Sequence, residues 1–95
     1  MNIDQIIVEK GLSHLAIEKA LLNIGERALK QVGNQLYAKH RCYFSDCLEH
    51  PEYLKDVLDE IFGKASIAII DSIQIDLKEF TEKKTISKFL VQLSR

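Results

Sequence analysis

Leu15, Leu22, Leu29 and Leu36 recur at every seventh residue inside a stretch, Leu12 to Arg41, whose pattern is that of one long helix. At 100° per residue, seven residues return to within about 20° of the starting direction, so the four leucines form a single stripe. A second apolar set, Ile17, Leu21, Ile24 and Ala28, adjoins it, with Gly25 and Val32 between the two. Together they cover roughly 200° of the helix, against the ~100° of an ordinary surface helix. Lys19, Asn23, Glu26, Lys30 and Asn34 fill the opposite arc. A helix that is apolar over more than half its girth must be covered by several neighbours. It is therefore expected to be the central element, or to face another chain. Gly25 and Gly33 each cost such a helix roughly 1 kcal/mol relative to Ala. Close approach of a neighbour explains them better than a kink near Gly33-Asn34 does.

The remaining pattern is also helical. Ile3, Ile6, Ile7 and Val8 suit a short leading helix over residues 3–9, capped by Asn2 or Asp4 and broken at Gly11, after which Ser13 is a plausible cap. Residues 42–50 form a connection in which Ser45 or Asp46 could cap a short turn. Pro51 fits the first position of the next helix, and Glu52 and Asp56 in its early turns suit the helix dipole. Tyr53, Leu54, Val57, Leu58, Ile61 and Phe62 give that helix one apolar face, and Gly63 ends it. Ala65, Ile69, Ile70, Ile73, Leu77 and Phe80 share a face of a third helix, from about Lys64 to Phe80, which Ile67, Ala68 and Ile75 widen. Its β-branched pairs also allow a strand over residues 66–76. Thr85 is expected to cap a last helix carrying Ile86, Phe89, Leu90 and Leu93. The expectation is an all-α bundle of four main helices with a short leading one, forming a single domain over residues 1–95.

Charge narrows the function. Thirteen Lys and Arg against fourteen Asp and Glu leave a net charge of −1 and no clustered positive field for nucleic acid. The helix opening at Pro51 carries Glu52, Asp56, Asp59 and Glu60, which would repel phosphate. No apolar run approaches the ~18 residues of a membrane span. Met1-Asn2-Ile3-Asp4 lacks a basic and apolar leader, so a cytoplasmic location is expected.

Chemistry concentrates in His40-x-Cys42-x4-Cys47-x2-His50, which holds both cysteines and two of the three histidines. Zinc takes four such ligands tetrahedrally. The spacing is not that of a zinc finger, however, and two buried thiols beside helix-end histidines account for the same residues. A thiol switch between Cys42 and Cys47 would lack the CxxC spacing of redox sites. His14 reads as a surface residue, and no nucleophile, P-loop or metalloprotease motif occurs, so no catalytic residue and no cofactor are expected.

The run Cys47-x2-His50-Pro51-Glu52-Tyr53-Leu54-x2-Val57-Leu58-x2-Ile61-Phe62-Gly63, followed by a helix and a final Phe89-Leu90, resembles a family of small archaeal helical domains, the Nitrosopumilus-output-domain type. The resemblance spans about the C-terminal half and, more loosely, the long first helix. It implies a small archaeal protein that acts as a signalling or regulatory output by binding a partner, and it carries over no catalytic residues.

The reading of the whole is a non-enzymatic helical interaction domain, a homodimer through Leu15, Leu22, Leu29 and Leu36. Two rivals are a metal- or thiol-responsive regulator using His40, Cys42, Cys47 and His50, and a binder of small apolar ligands lined by Phe44, Tyr53, Phe62 and Phe80.

Overall fold

A computed structural model describes the backbone of residues 3–95 and the side chains from Ile6 onward. The chain folds as a helical bundle. Helices α1 (Ile3–Leu22), α2 (Glu26–His40), α3 (Pro51–Phe62), α4 (Ser66–Leu77) and α5 (Lys84–Leu93) follow one another, and no described residue lies in a strand. At 1.5 Å per residue the 20-residue α1 is about 30 Å long, close to the 34 Å long axis of the molecule. It packs against α4, α2 and the turn after α2.

A main set of four helices with a leading one is thus what forms, but the boundary between the first two segments differs from expectation. The helix runs straight through Gly11, which is exposed, because Glu9, Ser13, Ala16 and Ile17 around it are buried. Ser13 is not a cap. It lies fully buried inside α1, and its hydroxyl donates to the Lys10 carbonyl at 3.0 Å. Asp4 lies within α1, and the alternative cap Asn2 falls outside the described residues.

The expected single helix from Leu12 to Arg41 is divided at Asn23–Gly25. Gly25 has φ 153°, a conformation that side-chain-bearing residues rarely adopt, and it starts α2 in a new direction. Gly33 stays helical and does what the sequence suggested. A Cβ placed there would lie 3.4 Å from the Phe44 ring, so the missing side chain admits the turn that follows α2.

The second half follows its local signals. Pro51 opens α3, and Gly63 (φ 57°) closes it. The 66–76 segment is helix rather than strand, with 3-10 turns over Gly63–Ala65 and Lys78–Phe80 trimming both ends. Leu54, Val57, Leu58, Ile69, Ile70, Ile73, Leu77, Ile86, Phe89 and Leu93 join Ile17, Leu21, Val32 and Leu36 in one core.

Thr85 does not cap α5, whose N-cap is Lys83 with no side-chain bond. Its hydroxyl donates instead to Glu9 Oε1 of α1 at 2.6 Å, tying the first helix to the last. A buried carboxylate needs a donor more than an exposed helix end does.

Candidate functional site

The turn between α2 and α3 gathers the chemistry-bearing window. Helix α2 ends in a left-handed residue, Arg41 (φ 53°), the one non-glycine at positive φ among the described residues. Its N–H donates to the Tyr37 carbonyl at 2.9 Å, and the Cys42 N–H reaches back to Leu36 at 3.3 Å, a helix-closing pattern that turns the chain inward. A 3-10 turn over Phe44–Asp46 follows. The Asp46 carboxylate accepts the Tyr43 N–H at 3.0 Å, so Asp46 is the residue that caps it.

This double reversal brings Cys47 Sγ to 4.0 Å from Cys42 Sγ, both free thiols and both buried. Both donate to the Tyr43 carbonyl, at 3.3 Å and 3.6 Å. Burial pushes both thiols above their ordinary range, most strongly Cys47, and the nearby carboxylates of Asp46 and Glu52 add to the effect. The thiolate is the nucleophile and the metal ligand, so these upward shifts make the reactive form scarce at neutral pH.

The histidines are engaged elsewhere. His40 stacks on the Tyr53 ring at 4.2 Å and 9°, and His50 stacks on the same ring at 4.8 Å and 14°. His40 Nε2 meets Asp56 Oδ2 at 2.9 Å, and His50 Nδ1 lies 3.4 Å from Glu52. Lys39 bonds both Asp56 and Glu60, at 2.8 and 2.6 Å, and Gln35 donates to Glu60, making a polar seam between α2 and α3. Lys39 first, then His40, holds the Asp56 carboxyl below its usual value.

His40, Cys42 and His50 therefore share the lining of one polar cleft of about 280 Å³ with Tyr53, while Cys47 sits behind it. Among the described residues no three His, Cys, Asp or Glu side chains are disposed to hold one metal ion. Tyr53 is the member that the sequence reading left out of this cluster. Its place three residues after His50, one helical turn on, was the available signal.

The leucine stripe does not survive as one surface. Leu36 has no exposure and lies in the core, Leu29 is half-buried against it, and Leu15 (64% exposed) and Leu22 (47%) face solvent. The division at Gly25 reorients α2 and turns its leucines inward. The solvent face of α1 instead continues N-terminally by one heptad to Val8, 54% exposed. Reading Gly11 as a break hid that continuation.

Phe44, Tyr53, Phe62 and Phe80 lie partly buried against the core; Phe44 lines a shallow pocket beside α2, and Tyr53 lines the polar cleft. They are spread over three segments, Phe44 and Phe80 in separate 3-10 turns and Tyr53 and Phe62 nine residues apart in α3. His14, expected at the surface, is half-exposed in α1 and pairs with Glu18 at 2.6 Å. No helix of the described residues is long and apolar enough to cross a membrane.

No family model matches the chain, and no curated protein or solved structure matches it either.

Proposed function

We propose that this protein is a non-enzymatic interaction domain that acts by protein–protein contact and self-associates through the solvent face of α1. The observation that carries this reading is the exposed heptad Val8, Leu15, Leu22. Knobs seven residues apart on one helix are the pattern by which two helices pack side by side. In an antiparallel pair about a two-fold axis at Leu15, that residue meets its own copy and Val8 meets Leu22. Ile7 flanks the stripe, and Gly11, with no atom within 4 Å of an added Cβ, leaves room for close approach. Three knobs make a short seam, which suits a reversible, micromolar dimer. A signalling-output role in an archaeal cell rests on the resemblance of the Cys47–Gly63 run. A cytoplasmic location suits two neighbouring thiols that remain unbridged.

Sedimentation velocity tests the association. The wild type at about 100 μM should show a species of twice the 10.9 kDa protomer mass. Leu15→Glu should sediment as the protomer with its helical circular dichroism intact, since Leu15 is mostly exposed. A wild type that stays at protomer mass, or a Leu15→Glu variant that still dimerises, removes the reading.

The 4.0 Å separation of Cys42 and Cys47 favours a second reading, a thiol-responsive regulator. Two thiols would give up two protons and two electrons to a small disulfide, which is reduced to two thiols as the Cys42–Cys47 bond forms. A bond of about 2.05 Å needs only a modest approach of the sulfurs. Burial of the thiols makes the exchange slow. Incubation with glutathione disulfide should remove two hydrogen masses from the intact chain. Formation of mixed disulfides alone, or no change over days, would count against it.

A further inference from the structure

The 4.0 Å between Cys42 Sγ and Cys47 Sγ is wide for a direct bond and close to the span of a bridged one. A disulfide needs the sulfurs about 2 Å nearer. A central atom with bonds of about 2.3 Å to sulfur, at an angle of about 100–110°, holds its two sulfurs about 3.5–3.8 Å apart. Reaching that span takes an approach of no more than about 0.5 Å. Both thiols already converge, since both donate to the Tyr43 carbonyl, at 3.3 and 3.6 Å. That carbonyl also accepts the Asp46 N–H at 2.9 Å, so it keeps a partner when the thiol protons leave. Cys42 lines the polar cleft, which gives a small molecule an entry, and Cys47 lies behind it.

What surrounds the sulfurs selects the bridging atom. Zinc takes four ligands, and no three His, Cys, Asp or Glu side chains converge on one point among the described residues. A cuprous ion takes two thiolates in line, a span of about 4.6 Å, and leaves a net negative charge. Burying that charge is costly, and the carboxylates of Asp46 and Glu52 near both thiols oppose it. A trivalent arsenic oxyacid needs neither further protein ligands nor a charge. It is small, it is uncharged near neutral pH, and with two thiols it forms a neutral three-coordinate product.

We propose that Cys42 and Cys47 together bind trivalent arsenic, taken up as arsenite. The proposal rests on the thiol-responsive reading of the same pair and names what that pair responds to. In the binding step arsenous acid loses two of its three hydroxyl groups as two arsenic–sulfur bonds form. The two thiol protons leave with those hydroxyls as two molecules of water. Arsenic stays trivalent and keeps one hydroxyl, so the step needs no oxidant or reductant.

Sodium arsenite added to the full chain, kept reduced by a phosphine, tests it. Intact mass should show one arsenic per chain, and X-ray absorption at the arsenic edge should show two sulfurs and one oxygen around it. Cys42→Ala and Cys47→Ala should each weaken uptake about tenfold or more. Because the fold presets the sulfur spacing, the folded chain should bind about tenfold or more tighter than the urea-unfolded chain, so arsenite should raise the midpoint of urea unfolding. That measurement uses the wild type and stands even where a variant fails to fold. The proposal is overturned by no uptake at about 1 mM arsenite, by a single sulfur at arsenic, by unchanged uptake in a folded variant, or by a urea midpoint that does not rise. Oxidation by glutathione disulfide in a chain that takes up no arsenite overturns this proposal alone. Arsenite uptake with two sulfurs and a raised midpoint, in a chain that glutathione disulfide leaves unchanged, supports it and removes only the disulfide.

Discussion

Leu36→Ala should lower the unfolding free energy by about 2–5 kcal/mol, while Leu15→Ala should change it by no more than about 0.5 kcal/mol. The two leucines sit three heptads apart on what reads as one stripe in the sequence. In the folded chain Leu36 is sealed in the core among the residues of α1 and α3, and its truncation leaves a cavity as well as lost apolar burial. Leu15 stands mostly in solvent, and truncating it removes little that folding had buried. Urea unfolding at a protein concentration too low for association measures both. Equal losses would mean that the helix is not divided at Gly25 as described. At higher concentration the order should reverse for self-association: Leu15→Ala should weaken the dimer.

What could be read in advance follows how local each signal is. Helix α3 was legible from end to end because its start and stop are written in adjacent residues, Pro51 and Gly63, and its face in a single period. The apolar face of α5 was legible for the same reason. The break at Asn23–Gly25 was not. Leucines continue at the heptad spacing on both sides of it, so periodicity alone cannot register a change of axis. Only the backbone angle of Gly25 does that. Residue type could not say which of two glycines, Gly25 or Gly33, bends the chain and which accommodates a neighbouring ring.

The candidate site shows the same division. The window from His40 to His50 does fold back on itself, as its composition suggested, and the thiols do meet. The histidines turn instead to Tyr53, whose phenol ring stacks with His40 from the end of α2 and with His50 from one turn earlier in sequence. The Glu9–Thr85 bond joins residues 76 positions apart. Locally Glu9 looks like a surface charge and Thr85 like a helix cap. Only the packing of α1 against α5 makes the carboxylate a buried acceptor and draws the hydroxyl away from the helix end.

Stability should fall on the alkaline side by about 1.4 kcal/mol between neutral pH and pH 10 on account of Cys47 alone. The sign follows from the direction of the shift. Burial raises the folded-state value of this thiol far above its usual 9.0. A raised value means that the folded chain holds its proton more tightly than the unfolded one. The resulting stabilisation is complete below pH 9.0 and is lost as pH rises from there towards the folded value. In the interval the unfolded thiol ionises freely while the folded one does not, and each pH unit costs about 1.4 kcal/mol per proton. Cys42 shifts in the same direction for the same first cause, burial, and steepens the decline. Lys10 and Lys39, raised from 10.5 by their carboxylate partners, contribute only above that value, so the window from 9.0 to 10.5 isolates the thiols. Chemical unfolding across that window should show a slope that flattens in Cys47→Ala, with a smaller flattening in Cys42→Ala. An identical alkaline limb in Cys47→Ala would show that the thiol is hydrated in the folded chain. The same hydration would expose it to thiol-disulfide exchange, so the pH profile also sets how fast a Cys42–Cys47 bond can form. A steep limb implies slow oxidation and a flat one implies fast oxidation, because both follow the population of thiolate in the native state.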